Sequence, residues 1–216
     1  MSGPQPSSEP RPTGESPRSV STVHTSAFRD GSAVASGFPV DEVSDHLARP
    51  DTVVWIDFSR PTTAQFDALA VELGLHDLAV EDALESHQRP KLDYYQSHLF
   101  LSCYTVRVDP GRGGLDGTRI DAFIGDRWLV TVRQNEEFPL EPLLARCDRS
   151  PDLARHGVSF LLYALLDEVV ESYFDVVAAF DDFYEEVSEG IFRDEPLDPA
   201  RQRNWFEMRQ ALQRFH

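Results

Sequence analysis

From about Arg155 to Arg193 the chain runs without a proline, and its glycines stand near the two ends of that stretch. Such a run reads as one long helix, the largest element the rest of the chain has to accommodate. Leu162, Leu166, Val169, Tyr173, Val176, Phe180, Phe183, Val187 and Ile191 recur at alternating steps of three and four, near the roughly 3.5-residue repeat along which helices pair. They predict a seam for a neighbouring element. At about 100° of rotation per residue, Asp167, Glu171, Asp175, Asp182, Glu186 and Glu189 gather on the opposite side. Taken alone, such a carboxylate stripe reads as a solvated helix face.

The remainder must supply what the seam packs against. With 216 residues, 41% of them hydrophobic, the chain can build one large core or two small ones. Acidic residues outnumber basic ones 37 to 20, for a formal charge of -17. Phosphate binding rests on clustered Lys and Arg, so this balance argues against nucleic acid as the main partner and favours cations or basic partners. Cys103 and Cys147 form no CxxC pair and read as buried free thiols in a reducing compartment, with a single bridge between them left open. The longest apolar run, Phe160 to Leu166, is far short of the roughly 18 to 20 residues that cross a bilayer. Residues 1–19 are rich in Pro, Ser and Gly, lack the hydrophobic core of a secretory signal and read as a disordered tail.

Three parts are expected: the tail, an α/β domain over 20–154, and helices over 155–216. Val20 to Phe28 reads as a strand, Asp30-Gly31-Ser32 as a turn, and Val40 to Ala48 as a short helix. Val53 to Phe58 is a compact β-branched and aromatic run, hence a buried strand. Helices follow at Thr63 to Leu73 and His76 to Ser86, with Gly74 placed as a left-handed cap between them. From Lys91 to Val108 the pattern predicts a long strand, and Asp109 to Gly114 breaks it as a hairpin loop. Thr118 to Ile124 and Trp128 to Val132 flank a tight turn at Gly125-Asp126, so the sheet ends in a meander. Glu136 to Asp148 reads as a short helix. After the long helix, Asp198 and Pro199 are placed to cap and open a last one, whose stripe is Trp205, Met208, Leu212 and Phe215. The fold class is therefore α/β, a mixed, mostly antiparallel sheet between helical layers, followed by a long helix hairpin.

No HExxH, paired CxxC or GxSxG motif occurs, and the seven histidines show no metal-ligand spacing, so the chain reads as a non-enzyme. His87 and His98 read as surface or structural residues. Glu81-Asp82 is an adjacent acidic pair whose bland reading is solvation. Asp167 and Glu171 stand one turn apart, a spacing that lets two carboxylates approach one hydrated cation but that is common on helices.

Two segments carry a resemblance. AVEDALESHQRPKLDYY, residues 79–95, is similar to the LxLEDxLxxxQRPKxE segment of CorA-type magnesium/cobalt transporters, and LLDEVVESYF, residues 165–174, resembles their LIDxIVDxYF segment. With the Trp55-Ile56-Asp57 strand, the likeness runs from about Val53 onward. It implies the α/β/α funnel domain of a pentameric transporter, at the cytoplasmic face of a bacterial cell membrane. Neither the Gly-Met-Asn signature nor the two membrane helices of that family occur in these residues, so the resemblance is to the soluble portion, with membrane attachment through C-terminal helices that are absent. It further implies regulatory Mg2+ bound between subunits, with Co2+ or Zn2+ as other possible ions. Asp82 matches the principal acidic residue of that site, Glu81 the one before it, and Asp167 and Glu171 the acidic positions of a second intersubunit site. The expected function is cation sensing that favours a closed channel. The alternatives are the same domain of a zinc-transporting relative, or a stand-alone acidic interaction or cation-binding protein.

Overall fold

The computed structural model describes residues 21–85, 88–109, 114–192 and 199–214, so the expected tail, His87 and the Asp198 cap lie outside the described residues. Seven strands form one sheet: β1 (Thr22–Arg29), β2 (Ser32–Ser36), β3 (Thr52–Ser59), β4 (Lys91–Tyr94), β5 (Leu99–Val108), β6 (Leu115–Ile124) and β7 (Trp128–Arg133). Their order is β2-β1-β3-β7-β6-β5-β4. Among the described residues only β3 and β7 pair in parallel; the other neighbours are antiparallel. Helices cover both faces, which is why β3 reads as an almost unbroken apolar run rather than an alternating one.

On one face lie α1 (Val43–Leu47), which follows a 3-10 turn at Val40–Glu42, α2 (Thr63–Leu73) and α3 (Asp77–Leu84). Phe66 and Leu69 of α2 and Ala79 and Ala83 of α3 pack there with Val54, Ile56, Phe58, Phe100, Phe123 and Val130. A capping box between Thr62 and Gln65 opens α2, and Gly74, at φ 63°, closes it in the left-handed conformation. On the other face lie α4 (Glu141–Arg149), α5 (Pro151–Ala154) and α6 (Val158–Phe192). Leu143 and Cys147 of α4 and Leu161, Leu165 and Val169 of α6 pack against Trp55, Ile120, Ala122 and Leu129. A last helix, α7, is described over Pro199–Arg214; the side chains of Trp205, Met208 and Leu212, with Phe215, lie outside those described.

Several expectations are corrected. Strand β2 is an edge strand of small, mostly exposed residues, SAVAS, with too little apolar pattern to be read as one. The segment from Lys91 to Val108 is two antiparallel strands, because Tyr95 N–H donates to His98 O at 2.9 Å and turns the chain between them. Helix α4 starts at Glu141 rather than Glu136, with a proline in its first turn. The long helix starts at Val158, since Gly157 adopts φ 67° and separates it from α5. Its buried line is Leu161, Leu165, Val169 and Val176; of the predicted seam Val169 and Val176 are buried, whereas Leu166 and Tyr173 are 37% and 44% exposed. More than half of the circumference of α6 is apolar near its start, so periodicity alone admits more than one orientation. Cys103 and Cys147 are both free thiols; burial pushes them up to about 12 and about 11, which keeps them protonated. Among the described residues no helix is long and apolar enough to cross a membrane.

Candidate functional site

Strand register builds the site around α3. Lys91 of β4 stands opposite Ser102 of β5, which stands opposite Asp121 of β6. Phe100, two residues before Ser102, belongs to the core beneath α2 and α3, and alternation places this polar row on that same face. Helix α3 therefore lies over a row that contains a cation and a buried carboxylate.

The C-terminal end of α3 is held by Arg119 of β6 and by Gln134, the residue after β7. Arg119 Nη2 donates to the carbonyls of Ala83 at 3.0 Å and Asp82 at 3.4 Å, and Gln134 Nε2 donates to Ala83 O at 3.1 Å. These donors satisfy carbonyls that a helix end leaves without intrahelical partners. Arg119 also faces Asp121, with Nε 2.9 Å from Oδ2 and both side chains buried. Burial pushes the Asp121 carboxyl up to about 6, against the opposing pull of Ser102 and Arg119.

The Asp82 side chain projects from α3 toward β4, where it is engaged on both oxygens. Lys91 Nζ pairs with Oδ2 and Gln88 Nε2 donates to Oδ1 at 2.8 Å. Gln88 is itself fixed, because its carbonyl accepts from Tyr104 Oη at 2.5 Å. Lys91 has a second carboxylate, Asp93 Oδ2 at 3.0 Å, and its ammonium sits 5.4 Å from the centre of the Phe100 ring. Hydrogen bonding to Asp82 holds the Lys91 ammonium above its usual range, against a smaller opposing effect of burial. The side chains of Asp82 and Lys91 are 21% and 28% exposed, so solvent reaches the pair. Glu81, one residue back, is exposed.

The second expected pair lies elsewhere. Asp167 and Glu171 are on α6, across the sheet from α3, so the fold does not bring the four carboxylates together. Asp167 Oδ2 is 2.5 Å from Arg146 Nη1 of α4, and Glu168 is 3.7 Å from the other guanidinium nitrogen. Glu171 instead lines a groove of about 350 Å³ between β5 and α6, with Arg107, Glu137, Glu168, Ser172 and Asp175. Among the described residues, no group of three or more His, Cys, Asp or Glu side chains stands close enough to hold a metal ion. One or two carboxylates at α3 are nevertheless the donor set of a hard cation that keeps most of its water, as Mg2+ does. His98 is a buried ring stacked on Tyr95 at 5.1 Å, a structural residue as expected.

Sequence reasoning missed Lys91 as the partner of Asp82, and the Arg119–Asp121 pair beneath them. Arg119 and Asp121 stand two apart in a predicted strand, hence on one face of it, and that spacing was the available signal.

A family model describing the CorA-like Mg2+ transporter protein matches residues 50–216. The protein YfjQ of Bacillus subtilis is 26% identical over 168 residues, which are 77% of this chain and 50% of that one. The cobalt/magnesium transport protein CorA of Thermotoga maritima is 22% identical over 145 residues, 64% of this chain and 41% of the relative. The chain thus spans half or less of the length of these two relatives. In fold it is similar to the soluble domain of CorA from Methanocaldococcus jannaschii, with a TM-score of 0.65 at 16% identity over 88% of this chain and 72% of that one.

Proposed function

This chain belongs to the CorA-like Mg2+ transporter family, and from that premise we propose that it is the cytosolic, cation-responsive part of a divalent-metal transporter. The observation that carries the reading is the Asp82 carboxylate. It stands at a solvent-reached edge of α3, with the exposed Glu81 beside it, at the end of a helix whose carbonyls are clamped to the sheet. A carboxylate so placed can be shared with a neighbouring copy while its backbone stays fixed.

Asp82, with Glu81, would supply one or two oxygen ligands to a regulatory Mg2+ or Co2+ between subunits of a homopentamer. When bound there, the ion supplies positive charge between acidic surfaces that otherwise repel. With a formal charge of -17 per chain, copies arranged around an axis need such compensation to stay close. Asp82 then couples ion occupancy to the arrangement of subunits, and closure of the channel is a population shift linked to binding. The transport step itself belongs to membrane segments beyond these residues. Asp167 and Glu171 form the second candidate contact. In this reading Arg146 orients Asp167, and Glu171 stays exposed at the groove.

Thermal melting tests the role of Asp82. An ion that binds only the native state stabilises it by about 1.4 kcal/mol at ten times its Kd, roughly 3 to 6 °C for a chain of this size. MgCl2 at millimolar concentration is expected to raise the Tm by that order above NaCl of equal ionic strength, and Asp82→Asn to remove the difference. Equal effects of the two salts on the wild type would overturn the reading.

A further inference from the structure

The two side chains that engage Asp82 occupy the oxygens a cation would need. Lys91 Nζ takes Oδ2 and the Gln88 amide takes Oδ1, so the carboxylate is not presented bare. The ammonium is also positioned by things other than Asp82. Its strand register sets it opposite Ser102, it sits 5.4 Å from the centre of the Phe100 ring, and Asp93 Oδ2 is a second partner at 3.0 Å. A lysine held in this way loses little by exchanging one carboxylate for the other, because Asp93 remains when Asp82 is taken.

We propose that Lys91 is a tethered competitor at the cation site: its ammonium fills the place of the divalent ion at Asp82, and cation binding proceeds by exchange of that ammonium onto Asp93. This rests on the reading of Asp82 as a cation ligand and adds what sets its affinity. A doubly charged ion is attracted more strongly by the same carboxylates than a single ammonium is, but it must displace a partner that is covalently attached and always present. The consequence is weak binding with a threshold. At low cation concentration Lys91 satisfies Asp82 and keeps the acidic edge neutralised within one chain. At high concentration the divalent ion replaces it and leaves charge available to a second copy. A purely structural ion pair would leave cation affinity to the carboxylates alone.

The test uses the full chain in about 0.15 M NaCl, where charges more than about 8 Å apart are largely screened. Mn2+ is titrated by the loss of its free-ion electron paramagnetic resonance signal, and MgCl2 is used to compete it off. Lys91→Met keeps an unbranched side chain of similar reach and removes the charge; it is expected to bind Mn2+ about fivefold more tightly than wild type, the equivalent of a pair worth about 1 kcal/mol. Lys91→Gln provides the same comparison should the methionine variant fail to fold. Arg89→Gln, which removes a nearby exposed charge, is expected to change affinity much less. Asp82→Asn should lose the site, and adding Lys91→Met to it should restore nothing. If Asp82→Asn weakens binding while both Lys91 variants bind as wild type does or more weakly, the cation site stands and the tethered competitor is refuted. If Asp82→Asn binds as wild type does, the site reading falls and this proposal with it.

Discussion

Asp121 is fully buried between Arg119 and Ser102, and burial outweighs both partners in pushing its carboxyl up from 3.8 to about 6. The native state therefore holds this proton more tightly than the unfolded chain. The resulting stabilisation is complete below pH 3.8 and is lost as pH rises through about 6. Urea melts across that window, compared with Asp121→Asn, should show the wild type losing stability relative to the variant as pH rises. A constant difference between the two would contradict the assignment. Asp57 is also buried; it accepts from Thr131 at 2.6 Å and from Arg133 Nε and Nη2, and Arg133 also donates to Phe138 O at 2.6 Å, which ties β3 to β7. At this scale the motif singled out Glu81 and Asp82 only as candidates. The Lys91 partner was not, because it follows from the register of β4 against β5, which residue spacing along one strand does not reveal.

Helix α6 carries two apolar faces. One, through Leu161, Leu165, Val169 and Val176, is buried on the sheet, and Ser172 Oγ accepts from Val106 N–H at 3.2 Å along it. The other, through Tyr163, Leu166, Val170, Tyr173, Phe174 and Val177, is exposed. A helix apolar on so much of its surface has no single seam to read, which explains why the predicted line fell between the two. Leu165→Ala is expected to cost about 2 to 5 kcal/mol, because it opens a cavity against the sheet. Val170→Ser should stay within about 0.5 kcal/mol. Urea midpoints distinguish them, and comparable losses would place the packed face wrongly. The other elements were legible where turn chemistry was strong: α2 with its Gly74 cap, and the β6–β7 hairpin, closed by Gly125 N–H donating to Trp128 O at 2.9 Å. Strand β2 was not, since what makes it a strand is its pairing with β1 rather than anything in SAVAS.

Across the whole molecule, the sheet separates the two acidic pairs. Glu81 and Asp82 stand on the α3 face, and Asp167 and Glu171 on the α6 face. That separation was invisible in the sequence, where the resemblance supplied both pairs without their relative placement. It also bears on how cation binding should be tested, because a chain of charge -17 attracts divalent ions everywhere. Affinity alone cannot distinguish a site from an atmosphere; location can. The direct measurement is paramagnetic broadening of amide resonances in the full chain by substoichiometric Mn2+, reversed with excess MgCl2. The account predicts that signals from the C-terminal half of α3 and from Gln88 to Lys91 broaden first and recover with Mg2+. Broadening spread along exposed acidic residues such as Asp175 and Asp182, with α3 unaffected, would contradict it.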